Sequence, residues 1–170
     1  MSFSLVPIRI IFRSRRVSFI NYPKIHEERR ITQRFRNCEE AVEFYRDKLG
    51  AKIEMMMRYN ECPDDLPPEM AGDENGKKIM HVSFSIGESR IMASDGGCGS
   101  EAPKFGGFAL SIGLDDEAEA KRLFDLLAED GKVEMPLGKT FWSPCFGSLT
   151  DKFGLDWMIS VAPKEEKKTS

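Results

Sequence analysis

The sequence predicts an α+β protein in which two paired βαβββ modules form curved mixed sheets around a cleft, with the helices outside. Three observations lead to this fold class. Two segments carry apolar residues at helical spacing, other segments alternate between apolar and polar residues, and short strings recur at matching places in the two halves. A length of 170 residues suits one domain or two small, closely packed halves.

Composition is typical of a globular protein from a reducing compartment. Hydrophobic residues make up 41% and charged residues 31% of the chain, which is enough for an ordinary core, and no apolar run is long enough to span a membrane. The four cysteines are far apart in the sequence, which predicts neither a zinc site nor a dense disulfide framework. We therefore expect a cytoplasmic protein with unpaired thiols and no membrane partner.

Charge is unevenly distributed along the chain. Residues 1–36 contain nine basic and two acidic residues, whereas the remainder contains 16 basic and 26 acidic ones. An acidic body without a basic stripe argues against nucleic acid as a partner. The basic extension is expected to be disordered or to hold a degenerate first strand. Its composition also fits an organelle-targeting peptide over residues 1–30 or a tail for an anionic surface.

The first module, residues 37–104, begins with a helix. Asn37 and Glu40 form a capping-box pattern before an apolar helical stripe, and Gly50 is the expected stop. Residues 59–78, rich in proline, glycine and acids, predict a long loop of the kind that forms lids or is disordered. Strands are predicted at residues 51–58, 79–86 and 89–94.

The second module, residues 105–162, repeats this order after a flexible connection at residues 95–104. Asp116 and Glu119 form a second capping pair, and Gly131 is the expected end of the second helix. Strands are predicted at residues 106–114, 132–137 and 155–161, with a short strand before a turn at residues 151–154 and a charged tail over residues 163–170.

Two pairs of similar strings indicate an internal duplication. After the first helix the chain reads Gly50-Ala51-Lys52-Ile53-Glu54-Met55, and after the second it reads Gly131-Lys132-Val133-Glu134-Met135. The last strands correspond as well, with Ile91-Met92-Ala93-Ser94 against Trp157-Met158-Ile159-Ser160. Because both pairs occupy corresponding places in the element order, we expect two copies of one supersecondary unit.

The strands have one apolar face, suited to cover by a helix, and one face of small polar residues. His81 and Ser83 lie on the polar face, where small side chains leave space for a ligand. His81 is a candidate general acid or base if Asp95 or Asp156 orients it, and otherwise a hydrogen-bonded polar residue of the cleft.

An aromatic stretch at residues 140–160 contains both tryptophans of the chain. Phe141 and Trp142 are interpreted either as walls that stack on a ligand or as core. Cys145 is a candidate thiol, although a thiolate needs a nearby base or cation and only Lys139 is close in sequence. Asp151 is expected to form the turn before the last strand.

Several motifs together carry a family resemblance. They are Asn37-Cys38-Glu39-Glu40-Ala41, Phe44-Tyr45, Leu49-Gly50-Ala51, Ser94-Asp95 and, most specifically, Thr140-Phe141-Trp142, Phe146-Gly147, Thr150-Asp151-Lys152-Phe153-Gly154 and Trp157-Met158-Ile159. Over residues 37–161 the chain resembles the PhnB-like branch of the glyoxalase/bleomycin-resistance/dioxygenase (vicinal oxygen chelate) superfamily. The resemblance implies paired βαβββ modules, a small-molecule cleft and a homodimer.

The chain differs from the metal-dependent members of this superfamily at the positions of their metal ligands. Those members bind a divalent metal through His, Gln or Glu on the first and last strands of their modules, but the last-strand positions here hold Met92 and Met158. A thioether is a weak ligand for a hard cation, so we expect no metal. The branch also carries the label of a 3-demethylubiquinone methyltransferase-like domain, but no Gly-rich loop for a methyl donor is present and no cofactor is expected.

Three functions are compatible with these residues. The favoured one is a metal-independent protein that binds a small organic molecule. The second is a lyase, isomerase or transferase that uses His81 as acid or base, and the third is a module for dimerisation or partner contact. The expected ligand-binding residues are Ser83, Met92, Asp95, Phe141, Trp142, Cys145 and Met158.

Overall fold

A computed structural model describes residues 9–12, 31–35, 37–96 and 107–163, with only the backbone described for the first range and for residues 31–34. Apart from residues 9–12, the predicted targeting segment lies outside these ranges, as do most of the flexible connection and the charged tail from residue 164. In chain order the elements are β1 (Arg9–Phe12), β2 (Ile31–Arg34), α1 (Cys38–Leu49), β3 (Lys52–Arg58), α2 (Pro68–Ala71), α3 (Asp73–Gly76), β4 (Ile79–Ile86), β5 (Ser89–Ser94), β6 (Phe108–Leu114), α4 (Glu117–Ala128), β7 (Lys132–Gly138), β8 (Phe146–Thr150) and β9 (Asp156–Val161).

The chain divides into an N-terminal unit, Ser14–Lys104, and a C-terminal unit that joins Met1–Arg13 to Phe105–Ser170. The sheet of the N-terminal unit has the order β2-β5-β4-β3, and that of the C-terminal unit has the order β1-β6-β9-β8-β7. In both units the first strand of the module runs parallel to the last, while the other pairs are antiparallel. The predicted α+β class, with βαβββ modules and mixed sheets, is confirmed.

Helix α1 buries the predicted apolar stripe against β3 and β4. The Tyr45 ring stacks on Phe84 with 6.1 Å between centroids, and Gly50 ends the helix with a φ of 68°. The helix starts after Asn37 as predicted, but the predicted capping bond is wrong, because the Asn37 side chain donates to Glu40 instead of accepting a helix amide. The first amide of α1, that of Cys38, donates to an oxygen of the distant Asp95 at 2.7 Å.

Helix α4 begins as predicted but ends earlier. Asp116 accepts the backbone N–H of Glu119 at 2.8 Å, which is the expected N-cap. The predicted stop at Gly131 is wrong, since the helix ends at Ala128 and the left-handed residue is Asp130, with a φ of 58°. Gly131 allows a close approach instead, because a Cβ atom there would lie 2.5 Å from the Thr150 carbonyl oxygen.

The predicted long loop and the basic extension both contain regular structure. Residues 59–78, predicted as a long loop, contain a 3₁₀ turn at Tyr59–Glu61 and the short helices α2 and α3. The basic extension contributes β1, which pairs antiparallel with β6, and β2, which pairs parallel with β5. Within the described ranges, no helix is long and apolar enough to cross a membrane.

The turn between β8 and β9 is organised by Asp151, as predicted. One carboxylate oxygen accepts the backbone N–H groups of Phe153 and Leu155 at 2.9 and 3.0 Å. The other accepts the indole N–H of Trp157 at 2.8 Å. Because Trp157 is fully buried, this part of the aromatic stretch is core.

Candidate functional site

The loop between β7 and β8 is fixed by hydrogen bonds around Ser143. The Ser143 hydroxyl is buried. It donates to the Val161 carbonyl oxygen at 2.7 Å and accepts the backbone N–H of Cys145 at 3.2 Å. The backbone N–H of Val161 donates to the Cys145 carbonyl at 2.8 Å, and the backbone N–H of Thr140 donates to the Ser143 carbonyl at 2.9 Å. The end of β9 therefore holds this loop in one conformation, which fixes the residues at its tip.

Phe141 and Trp142 form the tip of this loop. Their side chains are 90% and 41% exposed, so they are not core residues. The two rings lie nearly perpendicular, with 4.4 Å between centroids and 82° between planes. The Trp142 ring also contacts Phe146 edge-on, with centroids 5.5 Å apart, so its position is supported from β8.

These aromatic residues line a cavity within the C-terminal unit. Its volume is about 580 Å³, and its walls are residues 115–117, 139–144 and 161–163. The start of α4 forms one side, the aromatic loop forms another, and the end of β9 closes it. Phe141 and Trp142, predicted to contact a ligand, thus line a cavity. The volume of this cavity is within the ~300–1,000 Å³ typical of small-molecule sites.

The cavity carries more negative than positive charge. Its ionisable residues are Asp115, Asp116, Glu117 and Lys139. One oxygen of Asp116 caps α4. Asp115 precedes this cap, Glu117 is the first residue of the helix, and both are exposed. Carboxylates at this position are stabilised by the partial positive charge of the helix N-terminus.

Cys145 lies at the end of the loop but does not line the cavity. It is half-buried, and burial raises the pKa of its thiol, with the negative charge of Glu117 raising it further. A raised pKa reduces the thiolate fraction at neutral pH, so this environment does not activate a nucleophile. Among the described cysteines, Cys38, Cys62 and Cys145 are free thiols.

Three of the predicted residues share one face of the sheet in the N-terminal unit. His81 and Ser83 alternate along β4 with Val82 and Phe84, which are buried towards α1. Met92 on β5 pairs with Ser83. This face is half-buried and also holds an ion pair between Glu54 and Arg90 at 2.8 Å, next to the Ser83 hydroxyl.

The carboxylates expected to orient His81 have other partners. Asp95 accepts the amide of Cys38 with one oxygen and that of Ile79, at 2.6 Å, with the other. Asp156 accepts the Thr150 hydroxyl at 2.7 Å within the C-terminal unit. Both carboxylates are thus engaged within their own units, and the catalytic role of His81 stays a prediction.

The fold has counterparts among known proteins. A model of the Glyoxalase/Bleomycin resistance protein/Dioxygenase superfamily matches residues 29–159, from before β2 to near the end of β9. The chain belongs to this superfamily. The matched range contains both βαβββ modules, including the helices and the aromatic loop.

Individual members of the superfamily are similar over most of their length. The chain is 35% identical over 134 residues to Protein YjdN of Escherichia coli (strain K12), covering 76% of this chain and 90% of that protein. The crystal structure of protein PA1353 from Pseudomonas aeruginosa has a TM-score of 0.71 at 36% identity, covering 80% of this chain and 98% of that one. A Bacillus cereus structure described as a putative 3-demethylubiquinone-9 3-methyltransferase, PhnB protein, has a TM-score of 0.64 at 26% identity, covering 81% and 100%. The resemblance to the PhnB-like branch is confirmed.

The residues at the expected ligand positions do not suit the divalent metal of the metal-dependent superfamily members. Met158 lies in register between Ser111 on β6 and Ser148 on β8, and Met92 pairs with Ser83 on β4. A thioether is a weak ligand for a hard cation, and a neutral hydroxyl does not supply the charge of the carboxylate it would replace. In the described part of the chain, no three His, Cys, Asp or Glu side chains converge as a metal site.

The sequence indicates the aromatic wall of the cavity but not its acidic wall. Asp115 and Glu117 look like ordinary charges before a helix, because acids in a first helical turn are common. Only the path of β9 brings the start of α4 beside residues 139–144. A parallel pairing of β6 with β9 would have indicated this, since their ends then meet at one edge.

Proposed function

We propose that this chain binds a small organic molecule in the cavity of the C-terminal unit, through side-chain contacts and without a metal. The observation that carries the proposal is the pair Phe141 and Trp142, two large aromatic side chains exposed on the wall of a cavity of about 580 Å³. Covering such rings with a ligand removes apolar surface from water, at roughly 25 cal/mol per Å². His81, Ser83 and Met92 of the N-terminal unit stay predicted ligand contacts.

The rigidity of the loop supports a binding role. The bonds of Ser143 to Val161 and Cys145 hold the rings in place before a ligand arrives. A preformed site loses less conformational entropy on binding than a flexible one. The raised pKa of the Cys145 thiol and the other partners of Asp95 and Asp156 favour binding over turnover.

The proposal is tested by NMR with an organic fragment library, using the two indole N–H signals of the protein. Trp157 is fully buried and bonded to Asp151, so its signal is an internal reference. Ligands of the cavity are expected to shift the Trp142 signal and leave the Trp157 signal in place. They should also be recovered chemically unchanged, with the same affinity in the presence of EDTA.

A matched variant identifies the site. Trp142→Leu removes a stacking face while keeping an apolar side chain. Because this variant lacks the reporting indole, its affinity is measured on the ligand's own NMR signals, and it should fall about tenfold, since an aromatic pair contributes ~0.5–1.5 kcal/mol beyond its buried area. Phe153→Leu, on the turn before β9, is the control and should leave affinity unchanged. Unaltered affinity in Trp142→Leu, or loss of affinity with EDTA, would contradict the proposal.

A further inference from the structure

We propose that the ligand of this cavity is an organic cation, such as an alkylated ammonium compound. The inference rests on the proposed function, because it takes the cavity of the C-terminal unit as the ligand site. Two independent features of the cavity lead to it: the arrangement of the aromatic rings and the balance of charge.

The rings of Phe141 and Trp142 are arranged as a corner. Their planes meet at 82° with centroids 4.4 Å apart, and the Phe141 side chain is 90% exposed. The face of an aromatic ring carries partial negative charge and attracts an ammonium group within ~6 Å of its centroid. Two rings at right angles can both contact one alkylated ammonium group, which is the principle of an aromatic cage.

The charge of the cavity favours the same class of ligand. Asp115 and Glu117 make no hydrogen bond or ion pair with the other described residues, and Asp116 uses one oxygen to cap α4. Opposing them are Lys139 and the partial positive charge of the helix N-terminus, equivalent to ~0.5 elementary charge. Three carboxylates outweigh both, so the net charge of the cavity wall is negative.

This combination also disfavours the other ligand classes. An anion would meet the three carboxylates, and the amide of Glu119 at the helix start is already bonded to Asp116. A neutral aromatic compound would use the rings of Phe141 and Trp142 but gain nothing from the charges. An alkylated cation uses both, since its methyl groups contact the rings while its charge is attracted by the carboxylates.

The test compares two probes of the same shape and different charge, choline and 3,3-dimethyl-1-butanol. Binding is followed through the indole N–H signal of Trp142, with Trp157 as the reference. Choline should bind about tenfold more tightly, because its charge adds a cation–π contact with the rings to the attraction of the carboxylates. Its affinity should also fall as salt is added, since salt screens exposed charges.

Charge variants separate the carboxylates from the rings. The double variant Asp115→Asn and Glu117→Gln keeps the shape of the wall and should reduce the preference for choline to about twofold, the contribution of a weak cation–π contact alone. Asp125→Asn, two turns further along α4, removes one charge away from the cavity and should leave the preference unchanged. A full preference in the double variant would overturn the role of the acidic wall.

The outcomes also distinguish this inference from the proposed function. Equal affinity for the two probes, or binding of other fragments but not choline, would overturn the cation and leave small-molecule binding standing. If no compound shifts the Trp142 signal, both fail. A choline preference that depends on Asp115 and Glu117 supports both.

Discussion

At the scale of single residues, Asp151 shows how one side chain can join a turn to the core. Its carboxylate accepts two backbone amides of the turn and the indole N–H of Trp157. It is only 3% exposed, so both oxygens need partners. The indole is likewise satisfied, and every buried side-chain N or O atom of the described residues has a hydrogen-bond partner.

We predict that Asp151→Asn destabilises the protein by about 2 kcal/mol, the usual range for a lost hydrogen bond to a charged group being ~1.5–3 kcal/mol. The remaining amide oxygen can accept the N–H groups of Phe153 and Leu155. The new NH₂ group would face the indole N–H of Trp157, so two donors would meet without an acceptor. Urea unfolding followed by far-UV circular dichroism measures the change in the free energy of unfolding.

Asp130→Asn is the control for this change. Asp130 is exposed and has a φ of 58°, a conformation that asparagine also tolerates. Its free energy of unfolding should stay within ~0.5 kcal/mol of the parent, as is usual for surface substitutions. Equal effects of the two substitutions would show that the bond to Trp157 contributes no stability.

At the scale of elements, the two helix ends show which signals can be read from sequence. The prediction for Gly50 is confirmed, because its left-handed conformation depends only on the local chain. The prediction of Gly131 as a helix stop is wrong, because its lack of a side chain serves a contact with Thr150 on β8. Asn37 lies at the predicted helix start, but its side chain does not cap the helix, because its NH₂ group donates to Glu40.

The two glycines should respond differently to substitution by alanine. A Cβ atom at Gly131 would lie 2.5 Å from the Thr150 carbonyl oxygen and 3.1 Å from the Cα of Asp151. The end of β8 or the turn that follows it must therefore shift. We expect Gly131→Ala to cost about 3 kcal/mol, at the upper end of the usual overpacking range. Thermal and urea unfolding would measure it.

Gly50→Ala is the matched comparison. A Cβ atom at Gly50 would have no neighbouring atom within 4 Å, so only the left-handed backbone opposes alanine. That conformation costs roughly 1 kcal/mol for a residue with a side chain. A larger loss in Gly50→Ala than in Gly131→Ala would refute the steric explanation for Gly131.

At the scale of the whole molecule, the repeat in the sequence is the most informative signal. The matching strings around Met92 and Met158 place each methionine opposite a serine of the preceding strand, Ser83 in one unit and Ser148 in the other. A repeated pattern predicts a repeated topology, because each copy has the same apolar periodicity. The cavity is not predictable in this way: its acidic wall depends on the particular side chains at the start of α4, which periodicity cannot reveal.

A remaining feature at this scale is the apolar surface of β7, the edge strand of the C-terminal sheet. Val133 and Met135 are 45% and 46% exposed. The superfamily resemblance implies a homodimer, and a second copy would cover these side chains. Pro136 lacks an N–H group, so the contact would be side-chain packing rather than an extended sheet.

We therefore predict a homodimer in solution, with a mass by multi-angle light scattering of twice the 19.3 kDa of one chain. Met135→Glu should shift the equilibrium towards the single chain, because it places a charge in an apolar contact. Met55→Glu, at a comparable exposure of 44% on β3, is the control and should leave the mass unchanged. A single-chain mass for the parent protein would reject the dimer, and an effect of Met55→Glu in place of Met135→Glu would assign the contact to β3.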